Sequence, residues 1–223
     1  MAATDLLREG LSALKIVADE KIIDQFQLYC RELKKWNRRI NLVGEDSDLA
    51  IVEHHFLDSL TVLPLLGDCP PPGLVDVGSG AGFPGLPLKI MRPDLPVKLV
   101  EPRGKRASFL RHIIRTLELK EAEVLECRLE ENEPQLEALR HNTPLIISRA
   151  VTAISPFLEM SRPFVAEEGR VICMKGPRTE IELEEWKSSG GENRGFSFST
   201  LHTRTLPFSG ISRNLLVFTY RKR

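Results

Sequence analysis

The residues best suited to bind a ligand form a glycine-rich segment in the middle of the chain. It starts in the short apolar run Leu74-Val75-Asp76-Val77 and continues through Gly78, Gly80, Gly82 and Gly85. Glycines allow a tight turn and let a ligand approach the backbone. The apolar run predicts a strand and the residues after the glycines predict a helix. The segment would therefore lie at the carboxyl end of that strand, where open α/β sheets bind ligands.

Two nucleotide cofactors compete for this segment. Its last three glycines formally match the dinucleotide fingerprint G-x-G-x-x-G, but that loop turns at its first glycine directly after the strand, and this strand is predicted to end at Gly78. The carboxylate of Asp76 would repel a pyrophosphate and suits the sulfonium and ammonium of S-adenosylmethionine. Glu101, after the next predicted strand, can hold the ribose of either cofactor. S-adenosylmethionine is therefore favoured, and a tight connection that binds nothing is the remaining interpretation.

The first 70 residues read as a helical extension. In the second helix, which Asp19 would cap, apolar residues recur every three or four positions. They are Ile22, Phe26, Tyr29, Leu33, Trp36 and Ile40. A third helix is predicted from Asp48, with Leu49, Val52, Phe56, Leu60 and Leu63 on one side. Prolines at 70–72 would end it.

Residues 71–223 alternate short apolar runs with amphipathic segments. The runs GLVDVG, VKLVE, AEVLECR, PLIISRA and GRVICMKG, each followed by a helical pattern, predict a parallel sheet covered by helices on both faces. The segments FSFSTLHTRTLPF and NLLVFTYRK have no helix between them and predict two antiparallel strands at one sheet edge. Gly190, Gly191 and Gly195 before them predict a mobile loop. We expect the extension and this region to form one compact unit.

Ordered segments of the chain resemble one enzyme family. DVGSGAGFPGLPLKI, residues 76–90, looks like motif I of the class I S-adenosylmethionine-dependent methyltransferases. From about residue 20 onward the chain is similar to the bacterial small-subunit rRNA guanine-N7 methyltransferases. The matching segments are Trp36-Asn37, Asn41-Leu42, His55-Phe56-Leu57-Asp58-Ser59-Leu60, Gly104-Lys105-Arg106, Phe109-Leu110, Ile147-Ser148-Arg149-Ala150 and Lys175-Gly176.

The resemblance implies a fold, a reaction and a set of residues. The fold is Rossmann-like, with a mostly parallel seven-stranded sheet, an antiparallel C-terminal strand and the N-terminal helical extension. The reaction is methylation of guanosine N7 in the decoding-region loop of 16S rRNA, in naked RNA or in the small ribosomal subunit. Leu129 and Glu130 would contact the adenine end of the cofactor, and Arg149 would close the pocket near its methionine part. The other expected cofactor contacts are Asp76, Gly78, Gly80, Gly82, Phe83 and Glu101.

Arg149, at the end of the fourth predicted strand, is the best candidate for a catalytic side chain. Guanine N7 presents a lone pair, so its methylation needs alignment and a suitable electrostatic setting rather than a strong base. No Asn/Asp-Pro-Pro-Tyr/Phe tetrapeptide or Pro-Cys nucleophile follows that strand. The adjacent Ser148 has no His-Asp partners nearby. His55 and Asp58 share a helix face and are expected to orient the helix against the core.

Composition restricts the partners. The 223 residues include 31 Lys+Arg and 31 Asp+Glu, which excludes a non-specific nucleic-acid coat but allows local basic clusters. Expected RNA contacts are Lys34, Lys35, Arg38, Arg39, Arg103, Lys105, Arg106 and Lys175, the last equally readable as a solvated lysine. No apolar run approaches the roughly 20 residues that span a membrane. We expect no metal site, because Cys30, Cys69, Cys127 and Cys173 lack the spacing of metal ligands. These cysteines are expected to be reduced, buried thiols, which is typical of a cytoplasmic protein. We also expect a monomer.

Two alternatives to rRNA methylation stay open on the residues alone. One is a methyltransferase with a small-molecule or protein acceptor. The other is a nucleotide-binding regulator without activity. A dinucleotide oxidoreductase ranks last.

Overall fold

The computed structural model describes residues 2–66, 73–149, 152–176 and 179–222. Three sequence expectations fall outside these ranges: the state of Cys69, the end of the third helix at prolines 70–72, and Ala150 of the fourth-strand motif.

The N-terminal part is helical, as the apolar spacing predicts. It consists of α1 (Ala3–Ala13), α2 (Glu20–Ile40), α3 (Asp48–Ile51), a π-helical segment (Val52–Leu57), α4 (Asp58–Leu60) and α5 (Leu63–Leu66). The Asp19 side chain accepts a hydrogen bond from the Ile22 amide at 2.8 Å, which confirms the predicted cap of α2. Phe26, Tyr29 and Leu33 of the predicted stripe are fully buried.

The third predicted helix is interrupted, and here the sequence expectation was partly wrong. The π-helical segment, residues 52–57, lies between α3 and α4 and changes the angular position of the residues before it relative to those after it. Leu49, expected to face the core, is consequently 45% exposed. Residues 48–66 together have the length and mean hydropathy, 1.3, of a membrane span, although Asp48, Glu53 and Asp58 interrupt the apolar residues. With 67% of that stretch buried inside the protein, it serves here as a core helix.

The sheet has seven strands in the order β3-β2-β1-β4-β5-β7-β6. Their bounds are β1 (Leu74–Val77), β2 (Val97–Val100), β3 (Ala122–Leu125), β4 (Thr143–Arg149), β5 (Val165–Lys175), β6 (Phe196–Thr205) and β7 (Ser212–Tyr220). The first five strands pair in parallel, and β7 lies antiparallel between β5 and β6. This arrangement confirms the predicted Rossmann-like fold with an antiparallel C-terminal strand.

Helices cover both faces of the sheet. One hydrophobic cluster joins the N-terminal helices, α6 (Gly85–Met91) and α7 (Gly104–Thr116) to strand residues such as Leu99 and Ile147. The other joins α8 (Ile154–Ser161) and α9 (Thr179–Ser188) to the opposite face. Asp76 is in register with Ile147 on parallel strands, so its side chain points toward the face that the N-terminal helices cover.

Two details of the second half differ from the expectation. Residues 134–139 form a 3₁₀ helix instead of an α-helix; it begins at Pro134 and ends with a hydrogen bond from the amide of Arg140 to the carbonyl of Glu137 at 3.2 Å. The loop expected to be mobile contains a 3₁₀ turn at Gly191–Arg194. A Cβ added to Gly191 would lie 2.3 Å from the indole of Trp186, so the turn packs closely on that ring. The described cysteines agree with the expectation. Cys30, Cys127 and Cys173 are buried free thiols, and burial raises their pKa values to about 11, 11 and 12.

Candidate functional site

The glycine-rich loop after β1 takes a backbone path that requires glycine. Gly78, Gly80 and Gly82 have φ values of 69°, 59° and 97°, in the left-handed region. A Cβ on Gly82 would lie 2.5 Å from Leu86 and 2.6 Å from the hydroxyl of Tyr29. That buried hydroxyl donates a hydrogen bond to the carbonyl of Ala81. Helix α2 therefore supports the loop from behind.

The carboxyl of Asp76 has one satisfied and one unsatisfied oxygen. Its side chain is fully buried, and Oδ2 accepts a hydrogen bond from the amide of Gly85 at 2.9 Å. Oδ1 has no partner, and within the described part of the chain it is the only buried side-chain nitrogen or oxygen in that state. Burial raises the pKa of this carboxyl to about 7. An oxygen of this kind is suited to a cationic or hydrogen-bond-donating group of a bound ligand.

Glu101 follows β2 and folds back onto the glycine loop. Its Oε2 accepts a hydrogen bond from the amide of Gly80, and its Oε1 accepts one from the amide of Arg103, each at 2.9 Å. Each carboxylate oxygen keeps a second lone pair, so both can still accept from ribose hydroxyls. The loop, Asp76 and Glu101 together fit the adenosyl and methionine parts of S-adenosylmethionine.

Arg149, at the end of β4, is held by the π-helical segment. Its Nη1 donates to the carbonyl of His54 at 2.8 Å and to Oδ2 of Asp58 at 3.2 Å, and its Nη2 donates to Nδ1 of His55 at 3.1 Å. The other oxygen of Asp58 accepts from Nε of Arg213 at 3.1 Å. Asp58 is 2% exposed, so it is a buried carboxylate between two arginines. His55 and Asp58, which were expected only to orient their helix, thus take part in a network of charged side chains at the strand ends.

An aromatic stack connects this network to the glycine loop. The ring of Phe83 lies parallel to His55, with 4.8 Å between centroids and 7° between planes, and the guanidinium of Arg149 lies 5.1 Å from the same Phe83 ring. Phe83 is 3% exposed. Its side chain therefore packs beneath Arg149 and His55, and its contact with the cofactor, which the resemblance implies, stays a prediction.

A cleft of about 480 Å³ opens beside Arg149. Its walls come from the π-helical segment, the ends of β4 and β5, and the start of β7. The lining residues are His54, His55, Asp58, Arg149, Met174, Lys175, Gly176, Ile211 and Arg213. The volume falls in the range of small-ligand and cofactor pockets.

Lys175 differs from the interpretation as a solvated lysine. Its side chain is 11% exposed, pairs with Glu182 at 2.8 Å and donates to the carbonyl of Thr152. Its contact with RNA stays a prediction, and a phosphate would have to compete with the acidic partner on α9.

Comparison with known proteins identifies the family. The family model described as rRNA small subunit methyltransferase G matches residues 22–204. The chain belongs to this family. The protein named Ribosomal RNA small subunit methyltransferase G from Desulfotalea psychrophila is 45% identical over 215 residues, which cover 95% of each chain.

Solved structures of other methyltransferases share the fold of this chain. A SAM dependent methyltransferase from Aquifex aeolicus superposes with a TM-score of 0.55 at 20% identity, covering 86% of this chain and 98% of that one. M. jannaschii TYW2 in complex with AdoMet superposes with a TM-score of 0.51 at 16% identity, covering 67% and 69%. These likenesses support the Rossmann-like fold of the chain.

The residues expected at the adenine end follow β3. Leu129 is buried, whereas the side chain of Glu130 is 67% exposed and lies 4.0 Å from Arg128. Their contact with adenine stays a prediction.

The basic residues of α2 divide into paired and unpaired side chains. Lys34 pairs with Asp48 at 2.5 Å, and Lys35 lies 3.5 Å from a glutamate three residues earlier. Arg38 and Arg39, in the last turn, are exposed, and no ion pair found between described residues includes either of them.

Helices α2 and α7 bring the two basic clusters together. The helices run antiparallel, because Gln25 near the start of α2 bonds the carbonyl of Leu117 at 3.0 Å, while Trp36 near its end packs on Phe109 at 5.6 Å. The end of α2 therefore lies beside the start of α7. We call the resulting surface the basic face; it comprises Arg38, Arg39, Arg103, Lys105 and Arg106.

Tyr29 and Arg213 are site residues that sequence reasoning missed. Tyr29 reads only as part of an apolar stripe, and nothing local in the sequence indicates its bond to the loop. The sequence did contain a signal for Arg213. This residue directly precedes the predicted strand NLLVFTYRK, and the start of an antiparallel strand lies at the carboxyl edge of the parallel ones.

Proposed function

We propose that this protein transfers a methyl group from S-adenosylmethionine to N7 of a guanosine in the decoding-region loop of 16S rRNA. Family membership supports the rRNA acceptor, and the resemblance of the motifs supports the guanine N7 atom. The substrate is naked rRNA or the small ribosomal subunit, and we propose a monomer that acts in the cytoplasm.

The observation that carries this proposal is the continuity between the glycine loop and the arginine-lined cleft. Phe83 belongs to the loop, stacks on His55 and lies under Arg149, so the two parts share one rigid wall. A ligand held by Asp76 and Glu101 and a base held in the cleft would therefore meet at a fixed position. Such alignment supplies much of the rate in a displacement reaction.

The chain's residues divide the work as follows. S-adenosylmethionine, when bound, supplies an electrophilic methyl group on a sulfonium. Asp76 Oδ1 binds a cationic group of the methionine part, and Glu101 binds the ribose. Arg149, whose planar guanidinium is fixed by three acceptors, borders the acceptor base. No general base is needed, since guanine N7 carries a lone pair.

The basic face supplies phosphate contacts. The side chain of Arg106 reaches the glycine loop, with Nη1 3.9 Å from the position that a Cβ on Gly80 would occupy. RNA bound on this face would therefore lie next to the cofactor loop. Lysines and arginines in such a cluster neutralise phosphates, which makes binding depend on salt.

Transfer of labelled methyl to small subunits from a strain that lacks the modification tests the proposal. We expect label in 16S rRNA, located at N7 by borohydride and aniline cleavage. Parallel reactions with naked rRNA identify the substrate form. Arg149→Ala should abolish transfer, and Arg162→Ala, a matched change at an exposed arginine after α8, should not. Absence of label from RNA would reject the rRNA proposal and favour a small-molecule or protein acceptor. Label at another atom of the rRNA would reject N7 as the acceptor atom.

A further inference from the structure

One nitrogen in the cleft has no partner and no role in the site as described. His55 lines the cleft, its ring is stacked on Phe83, and its Nδ1 contacts Arg149. No hydrogen bond found between described residues includes its Nε2. In the described ranges, Asp76 Oδ1 is the one buried side-chain nitrogen or oxygen without a hydrogen-bond partner, so Nε2 of His55, which also has none, is not buried. Nε2 therefore reaches the solvent of the cleft.

Arg149 determines which imidazole nitrogen carries the proton. A guanidinium only donates hydrogen bonds, so Nδ1 must contact it through a lone pair. In a neutral ring the proton then resides on Nε2. Burial, together with the positive charge of Arg149 and contributions from His54 and Arg213, lowers the pKa of His55 to about 3, so the ring is neutral at physiological pH. The cleft thus presents an N–H donor that cannot become an acceptor.

We infer that the Nε2–H of His55 donates a hydrogen bond to O6 of the target guanine and selects guanine over adenine. Guanine carries the O6 acceptor beside N7, whereas adenine carries an amino group at that position. Two donors facing each other would leave both without a partner. The inference deepens the proposed function, on which it rests, by assigning the base selectivity to one side chain.

The surroundings of His55 fit this selective role. The parallel stack on Phe83 fixes the plane of the ring, and the contact with Arg149 fixes its rotation about that stack. The His54 carbonyl and Asp58 hold Arg149 in turn. A donor restrained in this way discriminates between bases better than a mobile one, because it cannot rotate to accept the wrong group. Arg149 acts here as a positioning residue for His55.

Base analogues at the target position test the inference. Small subunits are reconstituted with RNA that carries guanosine, inosine, 2-aminopurine riboside or adenosine there. Inosine keeps O6 and N7, whereas 2-aminopurine keeps N7 and lacks O6. For the unchanged protein we expect kcat/KM with 2-aminopurine to be about tenfold or more below that with guanosine, since one directed hydrogen bond is lost. Inosine should not suffer this loss.

The variant His55→Phe keeps the stack on Phe83 and removes the donor. We expect its kcat/KM values for guanosine and 2-aminopurine to become equal. Calorimetry with S-adenosylmethionine checks that the variant is folded. The matched variant His202→Phe changes an imidazole on β6, outside the cleft lining, and it should keep the preference for guanosine. A guanosine preference retained in folded His55→Phe would overturn the inference.

A second variant covers a folding failure of the first. His55→Gln keeps a donor near the position of Nε2, but its amide can also accept. We expect it to prefer guanosine over 2-aminopurine and to methylate adenosine relatively faster than the unchanged protein does. Unchanged exclusion of adenosine would overturn the inference. If the unchanged protein does not methylate guanosine N7 at all, the proposed function fails as well, which separates the two failures.

Discussion

The affinity for S-adenosylmethionine should depend on pH through the buried carboxyl of Asp76. Burial raises its pKa from 3.8 to about 7, so at pH 6 the carboxyl is protonated in about 0.9 of the free molecules. Binding of a cationic group requires the carboxylate. We therefore expect the affinity to be constant above pH 7 and to fall by about tenfold per pH unit below it, with about 0.9 proton released on binding at pH 6.

The same shift makes a prediction for stability, with a defined sign. The folded-state pKa is raised, so this group's contribution to the free energy of unfolding is complete below pH 3.8 and is lost as pH rises through 7. A difference of about three pKa units corresponds to about 4 kcal/mol as an upper limit. Asp76→Asn removes the ionisation, so its stability relative to the unchanged protein should increase between pH 5 and pH 8. The new amide group would lie at the position of Oδ1, where its hydrogens have no acceptor, and this lowers the free energy of unfolding of the variant at every pH.

Calorimetry in two buffers of different ionisation enthalpy measures both the affinity and the proton release. The ligand's own ionisation is common to all proteins compared, so the difference between the unchanged protein and Asp76→Asn isolates Asp76. We expect the variant to bind more weakly and to lack the decline below pH 7. Asp94→Asn, at an exposed carboxyl between α6 and β2, should keep the original profile. An affinity in the unchanged protein that is constant from pH 5 to 7, without proton release, would refute the reasoning.

Three further outcomes are expected. Gly82→Ala should lower the free energy of unfolding by about 3 kcal/mol in chemical denaturation, because its Cβ would lie 2.5 Å from a leucine carbon. Gly80→Ala has no atom closer than 3.8 Å to its Cβ, so it should lower the free energy of unfolding by only about 1–2 kcal/mol, through the left-handed backbone alone. Asp58→Asn should lower the free energy of unfolding by about 3 kcal/mol, because Arg149 and Arg213 lose their shared carboxylate. A variant as stable as the unchanged protein in denaturation would contradict the charged network. RNA affinity, measured by filter binding, should fall on the order of a hundredfold between 50 and 200 mM salt if four residues of the basic face contact phosphates.

The position of the glycine loop could be predicted from the sequence, because it follows from the topology of the sheet. Parallel strands direct their carboxyl ends to one edge, so Gly78 after β1, Glu101 after β2 and Arg149 at the end of β4 had to lie near one another. The position of each residue relative to the end of its strand was sufficient. The orphaned oxygen of Asp76 was not predictable, since it depends on which amide hydrogen bonds reach that carboxyl.

The cleft could not be predicted to the same extent, because its wall joins distant parts of the chain. Asp58 and Arg213 are separated by 155 residues, and their contact requires both the final strand order and the path of the N-terminal helices. The π-helical segment has no apolar period that distinguishes it from an α-helix over so few residues. Yet it carries the His54 carbonyl that Arg149 binds. Local periodicity predicts which face of a helix is buried, whereas this site depends on a π-helical interruption of an α-helix.

The proposed reaction moves positive charge from the donor to the acceptor base, so each additional cation beside the cleft would oppose it. Methylation at N7 removes the positive charge from sulfur and places one on guanine. Arg149 and Arg213 already contribute two positive charges beside the cleft, and Asp58 offsets one of them. A protonated His55 would add a further cation next to the product base and oppose its formation. The arginines that lower the pKa of this imidazole therefore keep the cleft compatible with a cationic product, and the hydrogen bond from Arg149 leaves the neutral ring with its donor facing the base.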